Sequence, residues 1–348
     1  MSRYIAFPDP PEPVRAAVLL VNLGTPDAPT ASAVRRYLGQ FLADPRIVEL
    51  PRWLWRIILH GVILRIRPRR SAHAYRKVWS ERGSPLQFGT EALAARLDAQ
   101  LAATGPLVVR HAMRYGGPSI ATRLRELGEL GVRRLLVVPL FPQYSATTTA
   151  SVFDALSAEL CTWRRIPELR FVGDYHAEPL HIEALARSVE AHWQAHGRGQ
   201  RLLLSLHGIP ERYVRNGDPY RAQCEATADA LRARLGLTAD ELMLTFQSRV
   251  GREPWLQPYT DQVLAALPGQ GVRRLDVMCP GFAIDCLETL EEIAMAGRDT
   301  FLEAGGEAFH YIPCLNDGTD QVAAMAALVR RHGQGWDEFA PRVDSASP

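Results

Sequence analysis

The residues with the most chemical potential sit where apolar runs end. His207 closes the run Arg201–Leu206 and is followed by Gly208 and Pro210. An imidazole at a strand end can take a proton or bind a metal; a bond to a loop carbonyl would satisfy it equally well. Asp285, Glu288 and Glu292 lie in Pro280-Gly-Phe-Ala-Ile-Asp-Cys-Leu-Glu-Thr-Leu-Glu-Glu, at i, i+3 and i+7. On a helix that spacing is one face. Carboxylates near a helix start are commonly dipole partners, but this helix opens at the same cleft as His207. One His with carboxylates suits a borderline or hard divalent cation, held weakly enough to be passed on. A third group is Phe141-Pro-Gln-Tyr-Ser-Ala-Thr-Thr-Thr. Its hydroxyls can N-cap a helix, which leaves Tyr144 unexplained. Arg114 and Tyr115 before Gly116-Gly117, and Trp255 in Glu-Pro-Trp-Leu, add guanidinium and ring surfaces. Together these suit a large, planar, acidic ligand, stacked on rings and paired through Arg.

Elements must hold these groups. Short Val/Leu/Ile-rich runs predict strands near 16–22, 107–113, 133–141 and 169–174, then 201–207, 242–247, 273–279 and 307–313. They are almost continuously apolar, as strands of a parallel sheet buried on both faces are. Amphipathic segments lie between, clearest at 86–103 and 221–235. The alternation predicts an α/β fold. Two halves resemble each other: LLVNLGTP (19–26) parallels LLSLHGIP (203–210), and GVRRLLVVPLFP (131–142) parallels GVRRLDVMCPGF (271–282). A duplication of four-stranded parallel sheets, with a cleft between the halves, is therefore expected. Ligands in such sheets bind beyond the C-terminal strand ends, which is where the groups above fall.

Composition removes other chemistries. Of 40 basic residues only Lys77 is lysine. No Gly-Lys pair exists for a P-loop, and pyridoxal chemistry would depend on Lys77 alone. G-x-G-x-x-G, G-x-S-x-G and H-E-x-x-H are absent. The five cysteines form no C-x-x-C pair, which speaks against a disulfide framework or structural zinc. The Pro-rich start has no apolar core of a signal peptide, and no uncharged apolar run approaches membrane-spanning length. A cytoplasmic protein is expected. At 348 residues two domains are the natural division: 14–175, 176–332 and a frayed tail at 333–348.

Residues 46–82 stand apart. Ten basic residues face only Glu49 and Glu81, so the rest of the chain carries about −6 of the net +2. Trp53, Leu54, Trp55, Ile57, Ile58, Leu59, Val62, Ile63 and Leu64 share the segment. Apolar bulk flanked by Arg suits a lip on anionic lipid, and a core helix with a charged face is the competing account. The confined cluster without interleaved aromatics speaks against nucleic acid.

The chain is similar to the ferrochelatases. The motifs are LLVNLGTP (19–26), AYRKVW with GSPL (74–86), AMRYGGPSI (112–120), FPQYSATTT (141–149), LSLHGIPERYVRNGDPY (204–220), TFQSRVGREPWLQPYTD (245–261) and CPGFAIDCLETLEEI (279–293). They run in the family's order over about residues 16–332. The resemblance implies two Rossmann-like domains and a porphyrin cleft. It implies insertion of ferrous iron into protoporphyrin IX, with iron as substrate and no tightly bound cofactor. It places His207 and Glu288 at the family's iron site. Arg67, Tyr75, Ser84, Arg114, Tyr115, Tyr144 and Trp255 are expected near porphyrin, and Asp285 and Glu292 in a relay of protons or metal. Some members carry a [2Fe–2S] cluster on C-terminal cysteines; here only Cys314 lies in that region, so none is expected. Cys286 stands where some relatives have His. Ala296, one turn past Glu292, ends the acidic ladder. A monomer is the default. Coproporphyrin III as substrate, cobalt or nickel insertion, and a noncatalytic porphyrin carrier are the alternatives.

Overall fold

The computed structural model describes residues 3–102, 106–251 and 253–339. Eight strands form two parallel four-stranded sheets. The first contains β1 (Ala16–Gly24), β2 (Leu107–Tyr115), β3 (Arg134–Pro139) and β4 (Glu168–Phe171), in the order β2-β1-β3-β4. The second contains β5 (Arg201–His207), β6 (Leu242–Gln247), β7 (Arg274–Met278) and β8 (Ala308–Ile312), in the order β6-β5-β7-β8. The two orders are the same pattern, as the sequence repeat predicts. All eight strands fall within a few residues of the expected positions.

The repeat has a local physical cause at the strand ends. Gly24 closes β1 with φ +109°, and a Cβ there would sit 1.8 Å from the carbonyl oxygen of Tyr115. Gly208 follows β5, and a Cβ there would sit 3.0 Å from the carbonyl oxygen of Gln247. In both halves the central strand's exit crosses close to the end of the neighbouring strand; glycine is required at Gly24 and gives the tighter fit at Gly208.

Each sheet is buried on both faces, which is why its strands read as continuous apolar runs. Val18, Leu20, Leu136 and Val138 pack under the helix Pro85–Ala102 through Leu93 and Leu97. The same core takes Val322, Met325 and Val329 from the helix Thr319–His332 and Ala283 and Ile284 from the loop after β7. One core thus joins the second half of the chain to the first sheet. The expected frayed tail is corrected through residue 339. Trp336 and Phe339 are buried in this core, and Trp336 Nε1 donates to Glu168 at 2.7 Å. Two aromatic anchors in 16 residues outweigh the entropy of fraying. Residues 340–348 lie outside the described residues.

The basic segment forms helices Arg52–Ile58 and Leu64–Val78, joined by a π-turn at Leu59–Ile63. One side is core: Leu59, Leu64, Ala72 and Tyr75 pack with Tyr37 and Leu38. The other side leaves Trp53 and Ile66 each 70% exposed and Ile57 64% exposed. The segment is therefore core on one face and apolar but exposed on the other.

Candidate active site

The strand order β6-β5-β7-β8 reverses direction between β5 and β7. A crevice opens beyond the strand ends at such a switch point. His207 is the last residue of β5, and the chain leaving β7 runs through Cys279-Pro-Gly to Glu288. The topology therefore brings together two residues 81 positions apart.

His207 is held at both its backbone and its ring. Tyr220 Oη donates to its carbonyl at 2.9 Å, and its Nδ1 lies 2.7 Å from the carbonyl of Gly208. The structural role considered for this histidine is thus real, and it uses one nitrogen only. Nδ1 must carry hydrogen to bond a carbonyl, which leaves the Nε2 lone pair as the basic site. The Trp255 ring lies 6.5 Å away, centroid to centroid, tilted by 50°. Trp255 Nε1 is buried and has no hydrogen-bond partner among the described residues.

The acidic segment differs from the expected single face. Asp285 precedes the helix, which runs as a π-helix over Glu288–Gly297. Its carboxylate accepts from Tyr311 Oη at 2.6 Å, Asn316 Nδ2 at 2.8 Å and Thr289 Oγ1 at 2.9 Å. Asp285 anchors the loop to the segment after β8, its carboxylate taken up by these three donors. Only Asp285 departs from the expected face, because the i, i+3, i+7 spacing assumes a continuous α-helix from Asp285 onward. Within the π-helix Glu288 and Glu292 remain together, each electrostatically felt by the other.

Glu292 accepts from the Ser248 backbone N–H at 2.7 Å and from Ser248 Oγ at 2.5 Å. Ser248 adopts φ +66°, a left-handed conformation that turns both donors onto one carboxylate. Burial raises the Glu292 pKa above the ordinary carboxylate range. The Ser248 bonds and His207 oppose that shift, and Glu288 adds to it. The result is a carboxyl poised to hold a proton beside an imidazole and a second carboxylate.

Glu288 looks to the lip. Its charge acts on Tyr75, Tyr37 and Arg67. Burial first, then Glu288, raises the pKa of Tyr75 well above the ordinary tyrosine value, so its hydroxyl stays a neutral donor. Arg67 lies on an exposed stretch of the helix Leu64–Val78. Its pKa is lowered by partial desolvation and by Arg70, while Glu288 favours its charge. Ser84 is buried and accepts from Thr25 Oγ1 at 2.9 Å, tying the lip's exit to the end of β1. Lys77 pairs with Glu291 at 2.8 Å, so the single lysine staples the lip helix to the π-helix.

Arg114 and Tyr115 belong to a closed network and not to a free ligand-facing pair. Arg114 Nε donates to the Ser151 carbonyl at 2.8 Å, and its Nη2 meets Asp44, which also accepts from Tyr115 Oη at 2.8 Å and Ser151 Oγ at 2.7 Å. They position the wall on which the lip begins. Tyr144 sits in the loop after β3, which is latched to the second half. Its N–H donates to Gln223 Oε1 at 2.6 Å, and Ser145 Oγ and the Ala146 N–H donate to Asp218. Ser145 also caps the following turn through Thr147, as its hydroxyl run predicts. Tyr37, Asp44, Gln247 and Ser248 were not legible as site residues. Tyr37 reads as an apolar position of a helix, and nothing in sequence marks the left-handed Ser248.

The profile of the family described as Ferrochelatase matches residues 15–333. The chain is 56% identical over 323 residues to the ferrochelatase of Methylibium petroleiphilum, covering 92% of this chain and 89% of that protein. It is 55% identical to the ferrochelatase of Marinobacter nauticus, covering 94% and 89%. Among solved structures, SirB from Bacillus subtilis with Fe3+ matches with a TM-score of 0.55 and 12% identity, covering 94% of this chain and all of that one. CbiX, the terminal enzyme of siroheme biosynthesis in denitrifying bacteria, matches with a TM-score of 0.52 and 16% identity, covering 90% and 98%. At these identities the structural likeness is one of fold.

Proposed function

The chain belongs to the ferrochelatase family, and from that premise we propose that His207, Glu288 and Glu292 carry the insertion of ferrous iron into protoporphyrin IX. The reaction gives protoheme and two protons. The observation that supports this assignment most is the convergence, at one switch point, of a basic imidazole nitrogen with two carboxylates in different environments. The porphyrin's pyrrole N–H groups point into its ring, so iron cannot enter while they remain. Contacts to the porphyrin's periphery must first bend the macrocycle. His207 Nε2 takes the pyrrole protons. Glu292, whose pKa lies above the ordinary range, receives them from the imidazole. Once its proton has passed to Glu292, His207 Nε2 regains its lone pair and with Glu288 can hold the entering iron. Arg67 is suited to a porphyrin carboxylate at the mouth. The substrate-side roles of Tyr75, Ser84, Tyr144 and Trp255 are lining and support.

A panel of mixtures tests the activity: the protein with protoporphyrin or coproporphyrin, each with Fe(II), Zn(II), Co(II) or Ni(II) under anaerobic conditions. Accelerated metallation of protoporphyrin by Fe(II) is expected. Binding without acceleration would mark a carrier. Glu292→Gln keeps the Ser248 bond to an oxygen but cannot accept a proton. A loss of about 10²-fold in turnover is expected, with the acidic limb of the rate profile abolished. A wild-type limb in the variant would remove Glu292 from the proton path.

The exposed side of the lip is proposed to touch anionic membrane surfaces. Trp53 and Ile57 stand one turn apart, flanked by Arg52 and Arg56. No helix among the described residues is long and apolar enough to cross a membrane. Flotation with phosphatidylglycerol vesicles should recover the protein at low salt and lose it at high salt. No recovery at low salt would refute the contact. A cytoplasmic, monomeric protein without a bound cluster remains the companion proposal.

A further inference from the structure

The face of β7 opposite the catalytic crevice's helix carries an unrelated cluster. The parallel register sets His310 of β8 beside Asp276 of β7. The helix Pro179–His196 covers that face and lays His192 over the same point with its penultimate turn. Asp276 is fully buried, a costly place for a carboxylate without cationic or hydrogen-bonding partners. Its Oδ2 is satisfied, accepting from Trp193 Nε1 at 2.7 Å and from the Gly199 N–H at 2.8 Å. Those two bonds aim Oδ1 at the imidazoles, as outer partners orient a metal-ligating carboxylate. A Cβ on Gly199 would lie 2.9 Å from the Asp276 carboxylate, so the approach needs glycine.

From Oδ1 the distances are 3.2 Å to His310 Nδ1 and 3.8 Å to His192 Nε2, and all three atoms lie within 4.8 Å of one another. The His192 side chain is 10% exposed, and its Nε2 is buried with no hydrogen-bond partner. A separation of 3.8 Å is too long for a hydrogen bond. The 3.2 Å and 3.8 Å separations lie on either side of the edge of a tetrahedron with metal–ligand bonds near 2.05 Å, about 3.3 Å. The C-terminal turn of the covering helix adds its negative dipole end, favourable to a cation. Burial lowers the His192 pKa from its ordinary value; Asp276 opposes that shift and the neighbouring imidazoles add to it, which suits a neutral ligand.

We propose that His192, Asp276 and His310 form a second metal site for a divalent first-row transition ion, Zn2+ by geometry, remote from the insertion site. It has three protein ligands, with the fourth position left to water. It would clamp the end of the covering helix to β7 and β8. The assignment is independent of the catalytic roles given above.

Zn2+ and Co2+ are the probes, and the full chain carrying His207→Ala is the background, which removes the catalytic site's imidazole ligand. This protein should bind one Zn2+ per chain in equilibrium dialysis against a weak chelator, and Zn2+ should raise its melting temperature. Co2+ should give the intense visible bands of a four-coordinate site. Adding His310→Ala, or separately His192→Gln, should weaken binding by at least about tenfold and remove the thermal shift. His310 is half-buried at a sheet edge, so its replacement should leave the apo protein folded. The proposal is overturned if His207→Ala binds no Zn2+, if both double variants bind as it does, or if Co2+ shows only weak six-coordinate bands.

Discussion

Turnover should fall by at least about 10²-fold in His207→Ala, while porphyrin affinity stays unchanged. The expectation rests on what the ring does and does not do in the fold. Nδ1 is engaged by the Gly208 carbonyl, so the ring's orientation is set before any substrate arrives. Nε2 is then the one nitrogen able to act as a base, and no other imidazole stands at this switch point among the described residues. Porphyrin binding relies on the lip and on aromatic surfaces, so a lost imidazole should appear in kcat and not in KM. Single-turnover metallation, read by the change in porphyrin absorbance, separates the two. Porphyrin titration by fluorescence gives the affinity. Near-wild-type kcat would remove His207 from the chemistry. A matched loss of porphyrin affinity would make it a binding residue.

The largest stability effect should come from Asp44→Ala, at about 3–5 kcal/mol. Asp44 is nearly fully buried and receives Arg114, Tyr115 Oη, Ser151 Oγ and the Arg46 N–H. Truncation removes the shared acceptor of a largely buried guanidinium and two hydroxyls, leaving them only Ser151 and one another as partners, which costs more than the pair itself is worth. Burial alone would raise the Asp44 pKa. The bonds from Ser151, Arg46 and Tyr115 and the charge of Arg114 outweigh it, so the net shift is downward from the ordinary 3.8. A carboxyl with a lowered folded pKa stabilises the fold above its unfolded pKa, and that contribution is lost as pH falls through the folded value. Wild type should therefore shed this stability below about pH 4, and Asp44→Ala should lack that part of the acid dependence. Urea denaturation at neutral and acid pH reads both. A cost under about 1 kcal/mol would mean that the network is not stabilising.

The sheets were legible because a parallel strand buried on both faces must be apolar along its whole length, and the eight runs carry that signal locally. His207 was legible as a candidate for a related reason, since a polar residue closing such a run falls at the crevice; Glu288, ten residues past the end of β7, was singled out by its spacing from Asp285 and Glu292 and by the family motif. The Arg-rich lip was legible as charge against apolar bulk. Its division into a core side and an exposed side follows from which residues meet Tyr37 and Leu38.

What the tertiary structure decided is everything that depends on contacts between distant segments. Asp285 and Glu292 are chemically alike in sequence, seven residues apart. One is tied down by Asn316 and Tyr311, and the other is met by Ser248 and left with a raised pKa. Arg114 reads as a ligand for carboxylates until Asp44 neutralises it. The tail reads as frayed until Trp336 finds the core of the first sheet. His192, Asp276 and His310 carry no motif, since they come from a helix and two strands across 118 positions, and only the β7–β8 register sets them side by side. Apolar periodicity is written along the chain. The partner that satisfies a given charge is set by the packing of segments far apart in sequence, and that packing determines whether the charge anchors, neutralises or reacts.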